Sequence, residues 1–116
     1  AIAKSRVDAL IVESDPVFNI NRQKVIALTE KNRLPAMDPD RRWAEDGGMM
    51  AYGTDIIEVA SRAAIFVDKI LKGAKPADLP VEQPTKFELT INLKTAKQIG
   101  VTIPQSVLFR ADKVIK

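Results

Sequence analysis

Three short polar stretches hold the residues with the most chemistry to offer: Ser14-Asp15-Pro16, Asp38-Pro39-Asp40 and Tyr52-Gly53-Thr54-Asp55. The Asp15 carboxylate could receive a ligand ammonium, with the Ser14 hydroxyl beside it. Tyr52 offers a ring to stack on and a hydroxyl to hydrogen-bond. Gly53 permits close backbone approach, and the N–H groups of Thr54, Asp55 and Ile56, free at a helix start, could take a carboxylate or similar anion. The same residues also read as simple caps, the commoner role for Asp and Thr where a helix begins. Asp38 with Asp40, and Glu45 with Asp46, supply the paired carboxylates that acid–base chemistry or a magnesium ion would need. Acidic residues at a helix start serve the macrodipole without any second role, so no catalytic residue and no metal ligand is assigned. Gly47-Gly48 is too short to be a phosphate-cradling loop. Trp43 and Met49-Met50 either line an apolar pocket or fill a core.

What is missing narrows the chemistry further. The chain has no cysteine and no histidine. That excludes a disulfide scaffold, thiol nucleophiles, cysteine- or histidine-ligated zinc and serine–histidine catalysis. With 116 residues, 46% of them hydrophobic and 28% charged, the composition fits one globular domain and excludes a disordered chain. No apolar run reaches the roughly 18 residues of a membrane span, and Ala1 to Arg6 lack the apolar region of a signal peptide. Charge divides unevenly. Residues 1–84 hold 12 Lys+Arg against 13 Asp+Glu, a balance of −1, and residues 85–116 hold 6 against 2, a balance of +4. The basic segment has only Phe87 and Phe109 as aromatics, both on apolar phases, so a lysine-bearing solvated face is expected there and nucleic-acid binding is not.

These residues need elements to position them. Val7 to Val12 is an almost continuous apolar run, the pattern of a strand covered on both faces, ended by Pro16. A helix is expected between Phe18 and Lys31, a second buried strand from Leu34 to Met37, and a short helix from Asp40 to Asp46 closed by Gly47-Gly48. Met49 to Tyr52 is the third strand. From Thr54 to Lys72, the spacing of Ile56, Ile57, Ala60, Ala63, Ala64, Val67, Ile70 and Leu71 predicts an amphipathic helix capped by Thr54. Strands and helices in this alternation describe a parallel sheet with right-handed crossovers. In an open sheet of that kind ligands lie beyond the carboxyl ends of the strands, where the three polar stretches fall. The pattern then changes. Gly73 to Pro84 carries Pro76, Pro80 and Pro84 and should run extended. Phe87, Leu89, Ile91 and Leu93 alternate with polar residues, which predicts a half-exposed strand. Lys94 to Ile99 reads as a short helix stopped by Gly100, and Val107, Leu108, Ala111, Val114 and Ile115 mark one apolar face.

The run Asp8 to Val12 with Ser14-Asp15-Pro16, then Asn32 to Ala36, then Gly47 to Gly53, resembles the carboxyl-terminal part of the TrpX-like ABC-transporter substrate-binding proteins. The likeness continues from Val67 through Pro84, then in Phe87-Glu88-Leu89 and from Ile91 to Lys97. It covers essentially the whole chain. The resemblance implies the type I periplasmic-binding fold, an α/β three-layer parallel-sheet lobe. It implies the second of two lobes over residues 1–84, and over 85–116 a crossover segment, with strand and short helices, returning to the first lobe.

The resemblance also implies a non-enzymatic receptor in the periplasm, or anchored to a membrane outside the cytoplasm. Such a receptor captures a small solute such as an amino acid and delivers it to an ABC permease, without a cofactor. Ser14, Asp15, Tyr52 and Gly53 would then face the cleft between lobes. Without the first lobe, the apolar faces of 85–116 are expected to lack cover, and either to drive self-association through that segment or to leave it mobile. Two readings from other classes remain open on the residues: a flavodoxin-like or receiver-like α/β domain with Asp15 or Asp38 as magnesium ligand or phosphate acceptor, and an interaction module with no small ligand.

Overall fold

The structure, a computed structural model, describes residues 7–116, so Ala1 to Arg6 lie outside the described residues. Two short apolar strands, β1 (Leu10–Ile11) and β2 (Ala36–Asp38), pair in parallel, Leu10 opposite Ala36 and Ile11 opposite Met37. Between them run α1 (Pro16–Ile20) and α2 (Arg22–Lys31). The single helix expected here is broken at Asn21, which leaves helical geometry and donates its side-chain amide to the Val17 carbonyl at 2.9 Å. The strand β3 (Met50–Thr54) follows α3 (Arg41–Glu45) and pairs in parallel with β2. Met49, expected inside that strand, precedes it.

The sheet has five strands in the order β1-β2-β3-β4-β5, the last two being β4 (Phe87–Asn92) and β5 (Lys113–Ile115), also parallel to each other. Right-handed crossovers in sequential order put α2 and α3 on one face of β1–β3. Val12, Ile26, Ala36 and Trp43 fill the core on that face. Trp43 is therefore packing, and Gly48 is what admits it: a Cβ on Gly48 would lie 2.0 Å from the indole nitrogen. Ile11 points to the other face and is 70% exposed, so β1 is not covered on both faces as its apolar run suggests.

The described residues form two compact units, residues 7–53 with 88–116, and residues 54–87. Residues 88–116 share a unit with β1 and β2, and the helix α4 (Ile56–Leu71) belongs to the other. That helix forms as predicted, yet none of its residues is buried: Ile57 is 59% exposed and Leu71 82%. Beyond it a 3-10 turn spans Pro76–Asp78.

β4 corrects two expectations. Its alternation predicts one wet face, but Thr90, Ile91 and Asn92 are all buried. It is an interior strand, and its buried Asn92 is satisfied inside the protein. The Asn92 amide donates to the Ala44 carbonyl at 2.9 Å, and its oxygen accepts the Thr95 N–H at 3.1 Å, capping α5 (Leu93–Ile99). The Thr95 hydroxyl donates to the Gly47 carbonyl at 2.7 Å. A second core, Met49, Ala96 and Ile99, sits beside this network, with Val101 and Ile103 packed against it. The face of 85–116 expected to lie bare is thus partly covered by the chain itself. The last apolar stretch divides into α6 (Gln105–Leu108) and β5.

Asn92→Ala strands the buried Ala44 carbonyl, at about 1–3 kcal/mol, and removes a helix cap worth about 1 kcal/mol. Urea unfolding should show a loss of about 2–4 kcal/mol for Asn92→Ala, and a change within about 0.5 kcal/mol for the exposed control Gln98→Ala.

Candidate functional site

Parallel pairing aligns the carboxyl ends of β1, β2 and β3. Asp38 lies opposite Ala51, and one further step in register brings Val12 level with both. Ser14-Asp15 follow β1, Asp38 closes β2 ahead of Pro39-Asp40, and Tyr52-Gly53, expected in a loop, lie in the last residues of β3, so all three fall at one edge of the sheet. The sheet has no reversal of strand order, because β1 stands at its outer edge. A flavodoxin-like or receiver-like sheet places β1 inside, in the order 2-1-3-4-5, and binds at the reversal. The topology therefore speaks against the receiver reading.

Asp15 caps α1: its Oδ1 accepts the Val17 N–H at 2.7 Å. One carboxylate oxygen is used in that way, and both Asp15 and Ser14 are exposed. Tyr52 is 49% exposed. Gly53 does allow a close backbone approach, but to the chain itself. A Cβ there would lie 2.1 Å from the Pro39 carbonyl oxygen, so the missing side chain lets the loop after β2 cross the end of β3. Thr54 ends β3 and does not cap α4. Asp55 does, its Oδ1 accepting the Ile57 N–H at 2.8 Å. The helix start proposed for a ligand anion thus already carries a carboxylate of its own.

Asp38, weighed in the sequence only as a paired carboxylate or a receiver-type acid, is the buried member of this set. Its carboxylate is 3% exposed, at the end of β2, where it accepts the Asp40 N–H at 2.7 Å. Desolvation by burial raises its pKa above 3.8, with the neighbouring Asp40 charge adding to the rise, while the Asp40 hydrogen bond and the Arg22 and Arg42 cations work against it. Asp40 behaves oppositely. Burial pushes it up, but the Arg42 guanidinium and backbone N–H, with the Arg22 charge, outweigh that and leave it lowered. Arg22 reaches across to Asp46 at 2.8 Å and stands 3.6 Å from Asp40. The signal available in sequence was an acid as the last residue of a buried strand, directly before proline. Among the described residues no group of three or more acidic side chains assembles as a metal would need.

Residues 1–115 match the family described as ABC transporter substrate binding protein. An uncharacterized protein of Rickettsia prowazekii (strain Madrid E) is 31% identical over 88 residues, 76% of this chain and 27% of that protein. Among solved structures, the ABC domain from Streptococcus pneumonia in complex with L-Trp is 32% identical with a TM-score of 0.88, over 98% of this chain and 39% of that one. A conserved domain protein from Vibrio cholerae is 27% identical, also with a TM-score of 0.88, over 94% of this chain and 37% of that one. This chain thus spans well under half the length of each.

A raised carboxylate pKa in the folded state contributes stability that is complete below 3.8 and is lost as pH rises through the folded value. Asp40, lowered, contributes in the opposite sense. Asp38→Asn keeps the acceptor for the Asp40 N–H and removes the ionisation. The variant should unfold at higher urea than the parent at neutral pH, with the difference shrinking to nothing below 3.8. A difference that is independent of pH would mean that Asp38 titrates alike in both states.

Proposed function

The chain belongs to the ABC transporter substrate binding protein family, and we propose that it forms one wall of a solute-capture site and performs no chemical step. The observation that carries this reading is the single sheet edge bearing Asp15, Asp38 and Tyr52, on a chain 32% identical to a domain solved with L-Trp. An amino acid fits the edge. An exposed carboxylate at Asp15 suits its ammonium, and the half-exposed Tyr52 ring suits an apolar or aromatic side chain. Ser14 and Gly53 lie beside these groups in sequence and complete the wall. We assign Thr54 and Asp55 a lesser part, since Asp55 is occupied as a cap. Captured solute would pass to an ABC permease, with the receptor working outside the cytoplasm.

The lobe division is proposed as the sequence implies it: residues 1–84 as the second binding lobe and residues 85–116 as the crossover segment that returns to the first lobe. We also propose that the chain self-associates through residues 85–116, and that the apolar residues exposed on α4, Ile57 and Leu71 among them, add to that contact.

A thermal-shift titration with L-tryptophan and other amino acids should give a saturable rise, because a ligand at 100 times its dissociation constant adds about 2.7 kcal/mol. Asp15→Asn retains a cap oxygen for Val17, so its unliganded melting point should hold while the ligand-induced shift falls. Tyr52→Ala should diminish the shift as well. A flat response from well-folded protein would remove solute capture from this chain. Sedimentation velocity tests the part played by α4: the double variant Ile57→Glu, Leu71→Glu should associate more weakly than the parent.

A further inference from the structure

Some of the described basic residues pair with a carboxylate and others, Lys31, Arg33, Lys75 and Arg110 among them, do not. Arg22, Arg41, Arg42, Arg62, Lys72 and Lys113 each pair with a carboxylate. Lys94, Lys97 and Lys116 make no ion pair and no side-chain hydrogen bond among the described residues, and these three stand around one depression of about 530 Å³. Its floor is apolar, made by Leu93, Ala96, Val101 and Ile103. No acidic side chain lines it. The floor is the outer surface of the second core, since Ala96 is buried in that cluster while Val101 and Ile103 pack against it and stay half-exposed. Its shape is held by the Val101 N–H, which donates to the Ala96 carbonyl at 2.8 Å and ties the 101–103 segment to the end of α5.

An apolar hollow ringed by like charges with no counter-charge is complementary to an apolar group flanked by anions. We propose that this depression is a docking site for an acidic segment of a partner protein, one apolar side chain seated on the Val101–Ile103 floor and carboxylates meeting Lys94, Lys97 and Lys116. The concavity favours an anchored peptide over a bilayer surface, and polybasic membrane patches usually gather about 4–8 cations, more than are present here. The site lies in the segment that holds the chain's excess positive charge, so it also steers an acidic partner from a distance.

The test uses the whole chain and a fluorescein-labelled ten-residue peptide with a central Leu-Phe pair flanked by glutamates. Anisotropy at low salt should show saturable binding that weakens as salt is raised, with NMR shift changes confined to α5 and residues 101–103. Lys94→Glu with Lys97→Glu should weaken binding at least tenfold, as should replacing the peptide's glutamates by glutamine, while the control Lys31→Glu should leave it unchanged. Lys97→Gln, a milder variant, should give an intermediate loss. Absence of binding, equal binding of the glutamine peptide, or indifference to the Lys94 and Lys97 changes would overturn the proposal. Co-sedimentation with phosphatidylserine vesicles, lost in the same double variant and unaccompanied by peptide binding, would overturn it in favour of a lipid surface.

Discussion

The fold hinges on a buried asparagine. Asn92 donates its backbone N–H to the Met49 carbonyl at 2.8 Å, its side-chain amide to the Ala44 carbonyl, and accepts the Thr95 N–H on its side-chain oxygen. The chain leaves the sheet after β3 and returns to it only at β4, so the two strands must find their register across a long excursion, at an entropic cost that local propensity does not offset. The Asn92 and Thr95 bonds tie the turn at residues 44–49 to the corner at 92–95 and fix that register. In a low-dielectric interior each of these bonds is costly to leave unmade, which makes the alignment specific as well as stable. The second core, Met49 with Ala96 and Ile99, is the direct consequence, and so is the floor of the lysine-ringed depression.

A similar economy governs the sheet edge at the ends of β1, β2 and β3. Gly53 is placed where the Pro39 carbonyl crosses β3, and this crossing brings the loop after β2 to the end of β3. Asp38 is thereby buried beside Asp40, burial raising the pKa of one carboxyl while Arg42 lowers that of the other. Asp15 remains exposed and only partly engaged as a cap.

The elements were largely legible. Helix α4 lies within its predicted limits because eight apolar residues hold one helical phase, and α5 ends at Gly100, whose φ of 81° suits glycine. The polar stretches also stand at the strand ends as expected. Other features resisted reading. Asp38 and Asp40 differ by two residues and look alike in sequence, yet burial and the reach of Arg42 push their pKa values in opposite directions. Thr90 and Asn92 look like solvent-facing residues because polarity is the only signal a sequence gives, and nothing local shows that Ala44 supplies a partner 48 positions away.

Sequence by itself determined most of the elements up to α5, the α/β class and the family, since these follow from periodicity, capping residues and a long stretch of family-like motifs. It also determined which chemistries are impossible, because cysteine and histidine are absent. Tertiary structure alone decided which apolar faces are covered. The stripe of α4 and the strand residues around Ile91 carry the same kind of apolar pattern, but one is open and the other sealed. Amphipathicity states that a face has something to gain from burial. Whether it is buried depends on which segments the fold brings against it, and that is set by long-range pairing such as the bonds of Asn92.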